Sequence, residues 1–298
     1  MSVTVVGSVA LDTVDTPSGE NIEGLGGAAT FFSLAATNYT DVNLVGVVGT
    51  DFPEEHIELL KSKNINLDGL EVAEGKTFRW KGHYHDDLNV RDTLETHLNV
   101  FETFEPKLPK NAKDAPYLFL GNIHPSIQMS VLEQANQKFV ALDTMNLWID
   151  IANDELKAIL SKIDCLIIND EEVIQLTGDH NLVRASRKIQ AMGPRIVASK
   201  KGEHGCLLFH GDDIFSAPAF PMEEVVDPTG AGDSFAGGFM GYIAQQDNTS
   251  FEILKKAVIH GSTVASYLCS KFGPDALTDI GAPEIEARYQ KFCDLSRF

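Results

Sequence analysis

Basic residues are scarce in this chain. Its 298 residues hold 24 Lys and Arg against 43 Asp and Glu, a formal net charge of −19. Such a surface repels phosphate backbones and anionic lipid, so neither nucleic acid nor a membrane surface is expected as a partner. A polyanionic nucleotide would bind only where backbone N–H groups, a few cations or a metal reverse the local field. Long apolar runs are missing too, and none approaches the ~20 residues needed to span a bilayer. The opening Met1–Ala10 has no basic stretch ahead of its apolar residues and reads as a strand, so no signal peptide is expected. Only four cysteines occur (Cys165, Cys206, Cys269 and Cys293), with neither C-x-x-C pairs nor disulfide-rich spacing. Internal repeats, low-complexity tracts and linkers are absent. What remains is a packed protein, 43% hydrophobic and 22% charged, expected in the reducing cytoplasm as a single domain over 1–298.

Short runs rich in Val, Ile and Leu recur at Val3–Val9, Val42–Val48, Tyr117–Leu120, Phe139–Leu142, Cys165–Ile168, Arg195–Ala198 and Cys206–Phe209. They are not cleanly alternating, which marks strands buried on both faces. Helix-period stretches lie between them at Thr30–Ala36, Glu54–Lys63, Ser126–Gln137, Asp154–Leu160 and Leu182–Ala191. Three more end the chain: Ser234–Gln246, Phe251–Cys269 and Pro283–Phe292. The alternation predicts an α/β fold with a mostly parallel sheet covered on both faces. Thr77–His85 differs, alternating bulky and polar residues before a polar turn at Asp86–Asn89 and a β-prone return over Arg91–Phe101. That pattern predicts an antiparallel hairpin projecting from the main layer, suited to a lid, a dimer surface or both.

The segment Asp227-Pro-Thr-Gly-Ala-Gly-Asp-Ser-Phe235 carries the most chemistry. Pro228 stops an extended piece, and Gly230 and Gly232 permit a tight turn. Asp233 or Ser234 is expected to cap the helix that follows, whose first N–H groups have no intrahelical acceptor. Those amides and the positive end of the helix make an anion pocket. A phosphoryl group in transfer spreads charge over its oxygens, and such a pocket would offset it. The Asp233 carboxylate at the lip could accept the proton of an attacking hydroxyl. Ala236, Gly237, Gly238 and Gly241 are expected to keep the helix slim enough to lie close to the sheet.

This order of residues resembles the C-terminal signature of the ribokinase-like carbohydrate kinases, the PfkB family, D-[TP]-x-G-A-G-D, at every position. Gly24-Leu-Gly26-Gly27-Ala-Ala is similar to the family's N-terminal Gly-Gly signature, continued by Val45-Gly46-Val-Val-Gly49-Thr-Asp51-Phe52. Asn169-Asp-Glu-Glu172 is similar to its N-x-x-E motif, and Lys200-Lys-Gly202-Glu-His-Gly205 to its [TK]-x-G-x-x-G nucleotide loop. The motifs stand in family order along nearly the whole chain. The resemblance implies a three-layer ribokinase-like sandwich with a mostly parallel central sheet. It also implies a small β lid at about 76–102, joined by about 13–23. The implied activity is transfer of the γ-phosphoryl of ATP to a hydroxyl of a sugar, the alternative acceptor being a nucleoside.

The implied roles follow residue by residue. Asp233 is the base, and the backbone of Gly230, Ala231 and Gly232 is the anion hole. Asn169 and Glu172 organise Mg²⁺ through water, because that ion sheds its hydration shell reluctantly. Asn169, Lys200, Gly202 and Gly205 face ATP. Asp12, Gly26 and Gly27 hold the acceptor. Asp227 and Thr229 bind a monovalent cation such as K⁺ in some members, and members often pair as dimers through the lid. One departure stands out: where the family has an acceptor-binding Asn, this chain has Phe31. An aromatic face there would suit a flat nucleoside base; the alternative is that Phe31 packs in the core beneath the Gly-Gly turn. A protein that binds nucleotide or metabolite as a sensor, without catalysis, is the reading from another class.

Other patterns carry less. Gly75-Lys76-Thr77 lacks the first glycine of a P-loop, since position 70 is Leu70. Gly24-Leu-Gly26-Gly-Ala-Ala29 fits a dinucleotide fingerprint but does not directly follow the first strand. His83-x-His85 could put two imidazoles on one strand face, with no further ligands implied. Asp143 and Asn146, beyond the strand Phe139–Leu142, sit where α/β sheets place ligand loops, or in a polar turn. Arg79, Lys81 and Arg91 in the hairpin could meet a charged acceptor or simply solvent.

Overall fold

A computed structural model describes residues 1–297. Thirteen strands form two sheets. In chain order they are β1 (Ser2–Val6), β2 (Ala10–Thr16), β3 (Gly19–Gly26), β4 (Asp41–Gly49), β5 (Ile65–Ala73), β6 (Phe78–Tyr84) and β7 (Arg91–His97). They continue as β8 (Tyr117–Leu120), β9 (Phe139–Asp143), β10 (Cys165–Asn169), β11 (Ile196–Lys200), β12 (Cys206–His210) and β13 (Asp213–Ala217).

The large sheet has the order β13-β12-β11-β10-β9-β8-β1-β4-β5. Its pairings are parallel except β11–β12 and β12–β13. Successive residues of β8 show why its strands read as unbroken apolar runs. Tyr117 and Phe119 enter one core, beside the helices Ala28–Ala36, Ala231–Gln246 and Phe251–Leu268. Leu118 and Leu120 enter a second core on the other face, beneath the helices Asn153–Leu160, Asp170–Thr177 and Leu182–Gln190. With both faces covered, every residue of β8 is buried. Three layers result, as expected for a ribokinase-like α/β fold.

The small sheet, β3-β2-β6-β7, is larger than the hairpin read from the sequence. β6 and β7 are antiparallel, and β2 joins them by pairing parallel to β6, with Asp12 opposite Trp80. The run Val3–Val9 is divided accordingly: β1 ends at Val6, and the chain leaves the large sheet to enter the small one at Ala10.

The glycine stripe of the helix Ala231–Gln246 serves a different neighbour from the one expected. A Cβ on Gly237 would fall 2.4 Å from the Phe32 carbonyl oxygen, and one on Gly238 would fall 3.0 Å from Gly261 Cα. The stripe therefore brings flanking helices together within one layer rather than drawing the helix onto the sheet.

Candidate active site

The site forms at the carboxyl ends of parallel strands, where open α/β sheets leave a crevice. Its floor is the turn before the helix Ala231–Gln246. Asp227, 1% exposed, ties this turn down: its carboxylate accepts from the N–H groups of Thr229 (2.8 Å) and Gly273 (3.0 Å). Gly230 then adopts φ 78°, ψ 5°, left-handed values that favour glycine. Gly230 is the N-cap and the helix begins at Ala231, so neither Asp233 nor Ser234 is the cap that the sequence suggested. The glycine turn leaves no residue whose side chain folds back, and Asp233 becomes the third helical residue. The Ala231 N–H closes the turn on the Pro228 carbonyl (3.1 Å), while the amides of Gly230 and Gly232 have no backbone acceptor among the described residues.

Asp233 is partly open to solvent at the head of this helix although protein surrounds it. Burial pushes its carboxyl up to about 7; the charge of Asp143 adds to the rise, and Lys200 and Arg91 oppose it. Lys200 ends β11 and reaches across to the helix head: a Cβ on Gly232 would lie 2.8 Å from its Nζ. The same Nζ stands 3.5 Å from Asp143 Oδ2. Burial alone would lower the Lys200 ammonium, but Asp143, Glu172 and Asp233 more than offset it and hold it above its ordinary value.

Asn169 and Lys200 are paired neighbours in the sheet, and Asp143 lies at the end of the next strand, β9. Asn169 and Glu172 form a capping box: Glu172 N donates to Asn169 Oδ1 (2.8 Å), and Asn169 N donates to Glu172 Oε2 (3.1 Å). Glu172 is pushed up to about 7 by burial and then by Asp143. Asp143, Glu172 and Asp233 thus share the positive charge of Lys200 and Arg91, and burial first, then the charge of Asp143, raises Glu172 and Asp233. Hard oxygen donors around an unmet demand for cation fit Mg²⁺. Among the described residues no three acidic, His or Cys groups converge closely enough to hold a metal alone.

Across the crevice lies Asp12 on β2, 7% exposed. Burial drives it up to about 7; the Gly27 N–H pulls it back down, and Asp227 and Asp233 push it up again. Gly26 is required beside it, since a Cβ there would come within 2.0 Å of Asp12 Oδ2. Phe31 is 2% exposed, and a Cβ on Gly230 would lie 2.4 Å from its ring. The ring therefore supports the glycine turn from within the core. It offers no open wall to a flat acceptor, and the core alternative is the arrangement found.

The loop Lys200–Gly205, expected to face the nucleotide, follows β11. The Lys201 N–H donates to the Gly205 carbonyl (2.7 Å), and a Cβ on Gly205 would be 2.0 Å from the Ala217 oxygen. Asn89, at the hairpin tip, comes close enough to Gly202 that a Cβ there would lie 2.7 Å from its Oδ1. The hairpin thus arches from Asp12 to the nucleotide loop. Thr229 Oγ1 donates to the Tyr84 hydroxyl on its inner face (3.2 Å), and the Arg91 guanidinium is near enough to lower Asp12, Glu172 and Asp233 together. Arg91, though exposed, thereby bears on the site through its charge, and Asp143 joins it as well. Tyr84 had no signal in the sequence beyond its place in an alternating strand. His83 and His85 pair instead with Asp15 (2.7 Å) and Asp92 (2.9 Å) on the sheet's other side.

Residues 3–280 match the pfkB family of carbohydrate kinases, and the chain belongs to that family. It is a phosphotransferase that acts on a hydroxyl acceptor, and ATP with Mg²⁺ is the family's usage. It is 32% identical over 247 residues to the cytidine kinase of Thermococcus kodakarensis, covering 80% of this chain and 87% of that one. It is 28% identical to a nucleoside kinase of Methanothermobacter thermautotrophicus, over 83% of this chain and 79% of that one. The fold superposes on a Burkholderia thailandensis nucleoside kinase in complex with inosine at a TM-score of 0.80, with 18% identity over 97% of this chain and 98% of that chain. No helix among the described residues is long and apolar enough to cross a membrane.

Proposed function

We propose that the protein transfers the γ-phosphoryl of ATP to a sugar hydroxyl of a nucleoside, with Asp233 as the base. One observation carries this reading: a carboxyl held near neutrality stands between Asp12 on one side and Lys200 on the other, at the head of a helix with unpaired amides. Two relatives that act on nucleosides support the acceptor class over a free sugar.

Asp12 would accept hydrogen bonds from the ribosyl hydroxyls and bring one of them to Asp233. Asp233 takes that proton as the oxygen attacks the γ-phosphorus in line, while the bond from that phosphorus to the bridging oxygen breaks and ADP leaves. The Gly230 and Gly232 amides and the Lys200 ammonium meet charge on the transferred oxygens, with Lys200, Gly202 and Gly205 beside the nucleotide. Asn169, Glu172 and Asp143 would hold Mg²⁺ through water, and the ion would offset phosphate charge. The small sheet acts as a lid, and Asn89 over Gly202 helps keep water from the donor phosphate. Asp227 and Thr229 we assign to fixing the turn, since their side chains already engage Gly273, the Thr229 amide and Tyr84; replacing Na⁺ by K⁺ should change turnover less than about twofold. A second copy would pack on the exposed edge strand β7, beside Val90, Leu94 and Leu98. The four free thiols accord with a reducing compartment.

Coupled ADP release tests the reading across ribose, fructose, phosphorylated hexoses, adenosine, inosine and cytidine. The nucleosides should exceed ribose in kcat/KM. Turnover confined to free sugars would overturn the acceptor, and nucleotide binding without turnover of any acceptor would favour a sensor.

A further inference from the structure

The register of the small sheet places one aromatic ring where an acceptor would lie. Asp12 and Trp80 are direct partners across β2 and β6, so their side chains leave the sheet on the same face. Gly82 and Tyr84 follow on that face at intervals of two, and Tyr84 reaches Thr229 of the glycine turn, so the face looks into the crevice. Arg91, opposite Tyr84 on β7, sets its guanidinium 5.3 Å from the centre of the Trp80 ring.

The ring is held in place by two features. A Cβ on Gly82 would fall 2.1 Å from Trp80 Cη2, so the glycine lets the indole lie down along its own strand. Trp80 Nε1 donates to Thr93 Oγ1 (3.3 Å), which satisfies the ring's one polar atom. A half-buried indole with its donor already used can offer only π surface, which a stacked base would share with the Arg91 guanidinium.

We propose that Trp80, laid over Gly82 beside Asp12, is the platform on which the base of a nucleoside acceptor stacks. The inference rests on the nucleoside reading above and supplies the aromatic wall that Phe31 does not. Stacking asks only for a π face, so the platform favours nucleosides over free pentoses while tolerating different bases.

Two measurements test it. In steady-state kinetics, Trp80→Ala should raise the KM for cytidine about 5- to 150-fold, the span that one base–aromatic stack supplies. Its kcat, and its KM for ribose, should stay within about twofold, and Trp80→Phe should restore most of the cytidine affinity. Gly82→Ala, whose new methyl displaces the indole, should resemble Trp80→Ala. An unchanged cytidine KM in a Trp80→Ala protein that still binds ATP would overturn the platform and leave the nucleoside reading standing. The second measurement reads binding alone. The chain has two tryptophans, Trp80 and Trp148, so in Trp148→Phe the emission comes from Trp80. Saturating cytidine should quench it and ribose should not. Quenching without cytidine turnover would retain the platform and remove the proposed reaction; absence of quenching in a protein that turns cytidine over would remove the platform.

Discussion

The two sheets of this molecule solve different problems. The large one is buried on both faces, and the ends of β9, β10 and β11 hold Asp143, Asn169 and Lys200 as direct or near neighbours. The small one is open: all of β7 is exposed, and its outer face carries His83 and His85 in pairs with acids. Under the proposed function, the groups that would meet phosphate are mounted on the large sheet, whereas those that would face the acceptor hang on the small one. Chemistry should be intolerant of change at the first, and selectivity adjustable at the second.

Asp233→Asn cuts deepest into that division. It should lower kcat by about 10²–10⁴ while leaving the KM for ATP nearly unchanged; turnover near the wild type would remove Asp233 as the base. Next comes Gly230→Ala, which forces a methyl into the Phe31 ring at a left-handed position. A loss of about 1–3 kcal/mol in urea unfolding is expected together with a fall in kcat.

The pH profile is a gentler probe. Asp233 must be ionised to act and is held near 7, so kcat/KM should rise with pH and level off above about 7. A plateau already reached by pH 5 would contradict the raised value. Stability should move the other way. A carboxyl raised from 3.8 in the unfolded chain to about 7 in the folded one favours folding at low pH, and that contribution is lost as pH rises through 7. Asp233→Asn should accordingly be more stable than the wild type at pH 8, by about 1–3 kcal/mol, with the gain shrinking towards pH 4. Smallest of all should be an outer-face change such as Lys81→Ala, with kcat altered less than about twofold. A tenfold loss there would show that the ribbon takes part in the chemistry.

The same division governs what could be seen in the sequence. Strands of the large sheet were visible because both faces are buried, leaving runs such as Cys165–Ile168 without polar interruption. The turn at Asp227–Asp233 was visible because its groups are contiguous. Its cap was misjudged because an Asp near a helix start usually signals the N-cap, and here the left-handed Gly230 takes that position. Asn169 and Glu172 were visible as a contiguous motif, and the capping box they form appears only in the structure. The face presented by Phe31 depends on the rotation of a helix buried all round, from Ala28 to Ala36, so periodicity had no polar side to orient it. β2 and β3 are rich in Asp, Glu, Thr and Gly, and the parallel pairing of β2 with β6 joins residues nearly seventy positions apart. Trp80 and Arg91 face inward only because of that pairing and of an irregularity between Lys81 and Gly82, neither of which composition encodes.

The contact of Tyr84 with Thr229 has a mechanical meaning. A phenol on the ribbon grips a hydroxyl one residue before the glycine that heads the helix Ala231–Gln246. Lifting the ribbon to admit or discharge a guest must first undo that clasp. The ribbon and that helix end are thereby joined through a single pair of oxygens.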